Sequence, residues 1–130
     1  MKAQIALITI LTDNVPRLAL FYQSTLGFEI LQDSGLYVEL VNPGVRFAIC
    51  ARSVMENATG DPAFNQARSG QSFELAFPLP SVAELDQAYA DIVAKGATPI
   101  QPPANMPWNQ RTAFFADPDG NIHELFTNLG

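Results

Sequence analysis

This sequence has one cysteine, one histidine and one tryptophan, and seven lysines and arginines against thirteen acidic residues. The single cysteine excludes an internal disulfide. In the apolar run Phe47-Ala48-Ile49-Cys50-Ala51 it reads as a buried structural thiol. A net charge of −6 without a basic cluster argues against nucleic acid and against an anionic membrane surface as partners. No apolar run is long enough to span a bilayer. Met1-Lys2-Ala3-Gln4-Ile5 leads directly into a strand pattern, without the charged region, apolar region and cleavage site of a secretory signal, so a cytoplasmic location is expected. There is also no Ser-His-Asp or Cys-His arrangement, no Gly-rich phosphate loop and no nucleotide-binding fingerprint.

What the chain does have is enough apolar residue to bury a core, in a length that fits one domain, 1–130. Residues 3–11 are β-rich. Leu18, Phe21 and Tyr22 then fall at helical spacing, with Asp13 or Asn14 as cap, Pro16 in the first turn and Gly27 as the stop, which predicts a helix over about 14–26. Short strands follow at Phe28–Gln32, Leu36–Val41 and Val45–Ala51, separated by Ser34-Gly35 and Asn42-Pro43-Gly44. Residues 1–52 thus form one βαβββ module. The polar stretch 53–69, with Gly60 and Pro62, reads as a linker loop.

The same element order then repeats over 70–130, which points to an internal duplication. Gln71–Leu79 is the strand. Ser81 and Glu84 form a capping box for a helix over about 82–95, which ends at Gly96. Thr98–Gln101 is a short strand, followed by the proline-rich loop Pro102–Asn109. The chain closes with a hairpin. Asp117-Pro118-Asp119-Gly120-Asn121 supplies its turn, because Pro presets φ, Gly tolerates positive φ, and Asp and Asn bond to the local backbone. Glu124 then stands between Ile122 and Phe126 on one strand face. A carboxylate there is costly unless that face lines a site or a solvated edge.

Phe21-Tyr22-Gln23-Ser24-Thr25-Leu26-Gly27-Phe28, the hairpin from Phe115 to Glu124, and Pro107-Trp108 upstream of it resemble motifs of the vicinal oxygen chelate superfamily. That superfamily includes glyoxalase I, bleomycin-resistance proteins and extradiol dioxygenases. The resemblance covers essentially the whole chain. It implies an α+β fold in which two βαβββ modules form an open curved barrel around a cleft, and homodimers are common among its members. Its metalloenzymes carry up to four inward ligands, usually His or Glu, on the first and last strand of each module. Carried onto this chain, those positions are Leu7, Ala48, Glu74 and Glu124. Two are carboxylates and two are hydrocarbon. That pair could hold a divalent metal weakly, whereas a tight transition-metal site wants three or four protein ligands. The neighbouring His123 points to the face opposite Glu124 and does not complete a set.

If the modules pair as the resemblance implies, Glu74 and Glu124 share a concavity walled by Ile5, Leu7, Ala48 and Phe126. Repulsion in a poorly solvated site would raise one of the two pKa values. The competing reading pairs each carboxylate with an arginine, such as Arg46 or Arg111, or leaves it at a wet rim. Trp108 could stack on a flat ligand or plug a barrel end. Tyr37 shares a strand face with Glu39 and is a further candidate for ligand contact. Two functions follow. One is a binding protein that sequesters a small, partly aromatic or cationic molecule with no cofactor, through Glu74, Glu124, Trp108, Leu7, Ala48, Tyr37 and Arg46. The other is a metal-dependent lyase, isomerase or dioxygenase with Glu74 and Glu124 as the catalytic candidates.

Overall fold

The computed structural model describes residues 1–130. The chain divides into two compact units, Met1–Ser69 and Gly70–Gly130. Each is built on an open four-stranded mixed sheet, so the architecture is α+β and neither sheet closes on itself.

The first unit runs β1 (Leu7–Thr12), α1 (Val15–Ser24), β2 (Ile30–Asp33), β3 (Tyr37–Leu40), β4 (Arg46–Ala51) and α2 (Arg52–Thr59). Its sheet order is β1-β4-β3-β2. β1 and β4 are parallel, and β4, β3 and β2 are antiparallel neighbours. The start of α1 is fixed by Asn14, whose Oδ1 accepts the Arg17 N–H at 3.1 Å, with Pro16 in the first turn. The helix buries Val15, Leu18, Ala19, Phe21 and Tyr22. Tyr22, Phe28 and Phe47 form a ring cluster with centroids 5.4–6.2 Å apart, which places Phe47 on the helix side of β4. Strand alternation then puts Ile49 and Ala51 on the helix side and Arg46, Ala48 and Cys50 on the opposite face. Cys50 is fully buried, as a structural thiol should be.

The second unit runs β5 (Ala76–Pro78), α3 (Val82–Ala94), β6 (Thr98–Met106), β7 (Gln110–Ala116) and β8 (Ile122–Asn128), with sheet order β5-β8-β7-β6. Ser81 caps the helix as expected, but Glu84 returns its carboxylate to the Ser81 hydroxyl rather than to the Ser81 backbone N–H. Ser81 Oγ accepts the Glu84 N–H at 3.2 Å and donates to Glu84 Oε2 at 2.8 Å. Leu85 and Ile92 of α3 are buried, together with Ala113, Phe115, His123 and Leu125 of the sheet. The β7–β8 turn is organised by Asp117. Its Oδ1 accepts the N–H groups of Asp119 and Asn121, its Oδ2 accepts Asn121 Nδ2, and Gly120 takes φ +84°.

Three elements depart from the sequence reading. The stretch 53–69, expected to be a linker loop, holds most of α2 and a 3₁₀ turn at Pro62–Asn65. Gly60 (φ +70°) and Pro62 stop that helix rather than mark a loop. α2 is only eight residues long, with Val54, Met55 and Ala58 as its apolar residues, and no side chain caps its start, so it is too brief and too polar to stand out in the sequence. The strand expected over Gln71–Leu79 is regular only at Ala76–Pro78, because side chains replace the ladder before it, as described below. Conversely, the short strand Thr98–Gln101 continues to Met106 through the proline-rich stretch. β6 is a sheet edge, where Pro102 and Pro103 forfeit no essential ladder bond, and the register slips between Pro99 and Gln101 and between Gln101 and Ala104.

Candidate functional site

Along β8, His123, Leu125 and Thr127 are buried on the α3 side, so Glu124 and Phe126 face the other way. The segment carrying Glu74 is laid along β8 by unusual means. The Glu124 N–H donates to Leu75 O at 2.9 Å. The Leu75 N–H donates to His123 Nδ1 at 3.0 Å. Gln71 clamps the start of the segment: its Nε2 donates to Phe73 O (2.6 Å) and Ile122 O (2.7 Å), and its Oε1 accepts the Ile122 N–H (3.1 Å). These bonds set Glu74 beside Glu124. Glu74 is exposed and Glu124 half-buried.

Neither carboxylate has an arginine partner. Arg111 gives Nε and Nη2 to Asp86 at 2.7 and 3.1 Å and Nη1 to Asn105 at 3.1 Å. Arg46 gives Nε and Nη2 to Glu39 at 2.9 and 2.6 Å. The pairing of Glu74 and Glu124 with Arg46 or Arg111, weighed from the sequence, is therefore not what forms. Burial pushes the Glu124 carboxyl above the usual carboxylate range, and the Glu74 charge adds to that rise. A second polar group shares this sheet face. Thr112, paired with Phe126 across the ladder, is fully buried and its Oγ1 has no hydrogen-bond partner.

The ladders identify the equivalent positions in the first unit. Glu124 pairs with Ala76 in parallel, and Glu74 lies two residues before Ala76. Ala48 pairs with Thr9 in parallel, and Leu7 lies two residues before Thr9. Leu7 and Ala48 thus match Glu74 and Glu124 in register, and they carry hydrocarbon. Across the antiparallel ladder from Ala48 stands Glu39, and from Cys50 stands Tyr37. Glu39 is 5% exposed and accepts the Tyr37 hydroxyl at 2.9 Å in addition to Arg46. The two hydrogen bonds from Arg46 hold the Glu39 carboxyl below its usual range against the opposing effect of burial.

His123 lies under the helix face, as alternation requires. It packs against Phe77 and Phe115, and its Nε2 faces Asp117 Oδ2 at 3.9 Å. Accepting the Leu75 N–H at Nδ1 assigns the proton of the neutral ring to Nε2. Burial holds its pKa below the ordinary histidine value, partly offset by Asp117. Trp108 sits in the β6–β7 turn, 58% exposed, with Nε1 donating to Gln110 Oε1 at 3.0 Å. Ile5 precedes β1 and is exposed. Gln71, the role of Glu39 as an arginine anchor, and Thr112 escaped the sequence reading. Gln71 and Glu39 owe their roles to partners on other strands, and the unpartnered hydroxyl of Thr112 to burial in the sheet; no local pattern encodes either.

The family model for the Glyoxalase/Bleomycin resistance protein/Dioxygenase superfamily matches residues 4–125. The chain belongs to this superfamily. A glyoxalase/bleomycin resistance protein/dioxygenase from Nocardioides is similar in structure, with a TM-score of 0.88 and 29% identity over 99% of this chain and 85% of that one. A superfamily member from Sphaerobacter thermophilus shares 28% identity, with a TM-score of 0.73 and 98% coverage of both chains. The YraH protein of Bacillus subtilis is 28% identical over 94% of this chain and 96% of its own length. Metal-dependent members of the superfamily raise the question of a metal here. The matched positions offer two carboxylates and two hydrocarbon side chains, His123 is committed on the opposite face, and no group of three or more His, Cys, Asp or Glu is placed to hold an ion. The donor set does not fit a tight transition-metal centre.

Proposed function

We propose that this protein binds a small, partly aromatic molecule bearing a positive or hydrogen-bond-donating group, without a transition metal, and that Glu74 and Glu124 receive that group. The observation that carries the reading is the state of the two carboxylates. They are set side by side on one sheet face, neither is neutralised by an arginine, and Glu124 is half-buried with its proton affinity raised. A cation entering there relieves repulsion and gains charge-assisted hydrogen bonds. Trp108, expected as a ligand contact, is exposed but stands in the β6–β7 turn. Glu124 pairs with Phe114, six residues along the chain, so a small ligand at the carboxylates does not reach Trp108. Phe126, half-buried on the same strand face as Glu124, is the aromatic side chain beside the pair. Homodimerisation and a cytoplasmic location belong to the same proposal.

Benzamidine, a planar aromatic cation, is the test probe. Titration followed by calorimetry should show binding in the wild type. Glu124→Gln should weaken it by about tenfold, as the loss of one charge-assisted hydrogen bond requires. Equal affinity for wild type and variant would overturn the reading. The alternative, a metal-dependent lyase, isomerase or dioxygenase, draws support from Glu74 and Glu124, two oxygen donors at the positions where the resemblance implies metal ligands. A lactoylglutathione lyase from Agrobacterium tumefaciens shares the fold at 20% identity and a TM-score of 0.73, which bears on architecture alone.

A further inference from the structure

The first unit carries a second polar group on its sheet, away from α1. Tyr37, Glu39 and Arg46 are joined in a chain of hydrogen bonds across β3 and β4. The duplication provides an internal control for what they do. In ladder register, Tyr37, Glu39 and Arg46 correspond to Thr112, Phe114 and Ile122 of the second unit. That unit builds the same sheet with no ion pair at those positions. The trio is therefore not a requirement of the fold. A buried carboxylate held by an exposed arginine is also a poor device for stability alone, since desolvation offsets much of the attraction.

Its geometry suits recognition. Glu39 is buried and occupies the Nε–Nη2 edge of the guanidinium, which locks the plane of Arg46. The Arg46 side chain remains 58% exposed. Its other edge, Nη1 with the remaining Nη2 hydrogen, carries two parallel N–H vectors, the fork that matches a carboxylate. Around it lie Leu7, its ladder neighbour on β1, and the ring of Tyr37. We infer that Arg46, oriented by Glu39 and Tyr37, is a binding site for the carboxylate of a small apolar or aromatic acid. The site stands on the first unit alone and does not depend on what Glu74 and Glu124 bind.

Benzoate tests this, with benzamide as the uncharged isostere. Two-dimensional NMR titration of the wild type should show shifts centred on Arg46 Nε–H, Tyr37 and the Leu7 methyls for benzoate at about 10 mM, a range suited to a lone carboxylate contact, and none for benzamide. Arg46→Lys keeps the charge and loses the fork, so it should weaken benzoate about tenfold. Tyr37→Phe, which frees one edge of the anchor and keeps the ring, should weaken it by a smaller factor. Thermal melts of each variant establish that it is folded, and the benzoate–benzamide comparison on the wild type needs no variant. Identical shifts from the two probes, shifts mapping elsewhere, no binding, or wild-type affinity in folded Arg46→Lys would each overturn the proposal.

Discussion

Glu124 shows how a single side chain can be placed against its own electrostatic preference. Its strand neighbours are buried under α3, its N–H is taken by Leu75, and its carboxyl finds a second carboxylate rather than a cation. Its pKa in the folded state is raised above the unfolded value of about 4.3. The folded chain thus binds more protons than the unfolded chain between those two values. The contribution of this group is most favourable below the unfolded value and is lost as pH rises through the folded one. A raised pKa of this kind makes the ionised Glu124 unfavourable to folding at neutral pH. Glu124→Gln should therefore leave the melting temperature unchanged or raised at pH 7, and the difference should close below about pH 4. A variant clearly less stable at pH 7 would show that Glu124 is a paired structural group and not part of an acidic site. The position of Glu124 was legible from the hairpin motif and strand alternation. The absence of a partner was not, because Arg46 and Arg111 choose their acids through cross-strand and helix–sheet contacts that only the folded chain defines.

The elements read from the sequence best are those whose ends carry their own chemistry. α1 and α3 begin at side-chain caps and stop before glycines with φ of +83° and +113°, and both were expected within a few residues. Elements that depend on tertiary partners were misread. β6 looked like a proline-rich loop because proline normally excludes a strand, yet an edge position needs no inward N–H from Pro102 or Pro103. α2 is short and starts without a side-chain cap, so its ends carry no local chemistry to announce it. β5 looked longer because its apolar residues alternate, but side chains take the Phe73 carbonyl (Gln71) and the Leu75 N–H (His123) in place of a regular ladder. A cap that acts locally should also cost locally. Ser81→Ala removes both bonds at the start of α3, and chemical denaturation should report a loss of about 1 kcal/mol. No measurable change would mean that the packing of Leu85 and Ile92 alone fixes the start of the helix.

At the scale of the whole molecule, one βαβββ plan has been used twice with opposite chemistry. In the second unit the carboxylate stands on the last strand and lacks a cation. In the first unit it stands one strand over, at Glu39, sealed by Arg46 and Tyr37, while Leu7 and Ala48 occupy the register positions of Glu74 and Glu124. Two carboxylates and two hydrocarbon side chains at these register positions form a poor donor set, and the consequence for metal can be measured. A site that held Zn²⁺, Ni²⁺ or Mn²⁺ a hundredfold more tightly than the added metal concentration would stabilise the fold by about 2.7 kcal/mol. Two carboxylates with water in the remaining positions fall far short of such affinity. Protein purified without chelator should therefore contain well under one transition metal per chain, and micromolar Zn²⁺, Ni²⁺ or Mn²⁺ should leave the melting temperature in place. A stoichiometric metal signal that disappears in Glu124→Gln would reverse the order of the two functions, because Glu74 and Glu124 would then be ligands and the enzyme reading would take precedence.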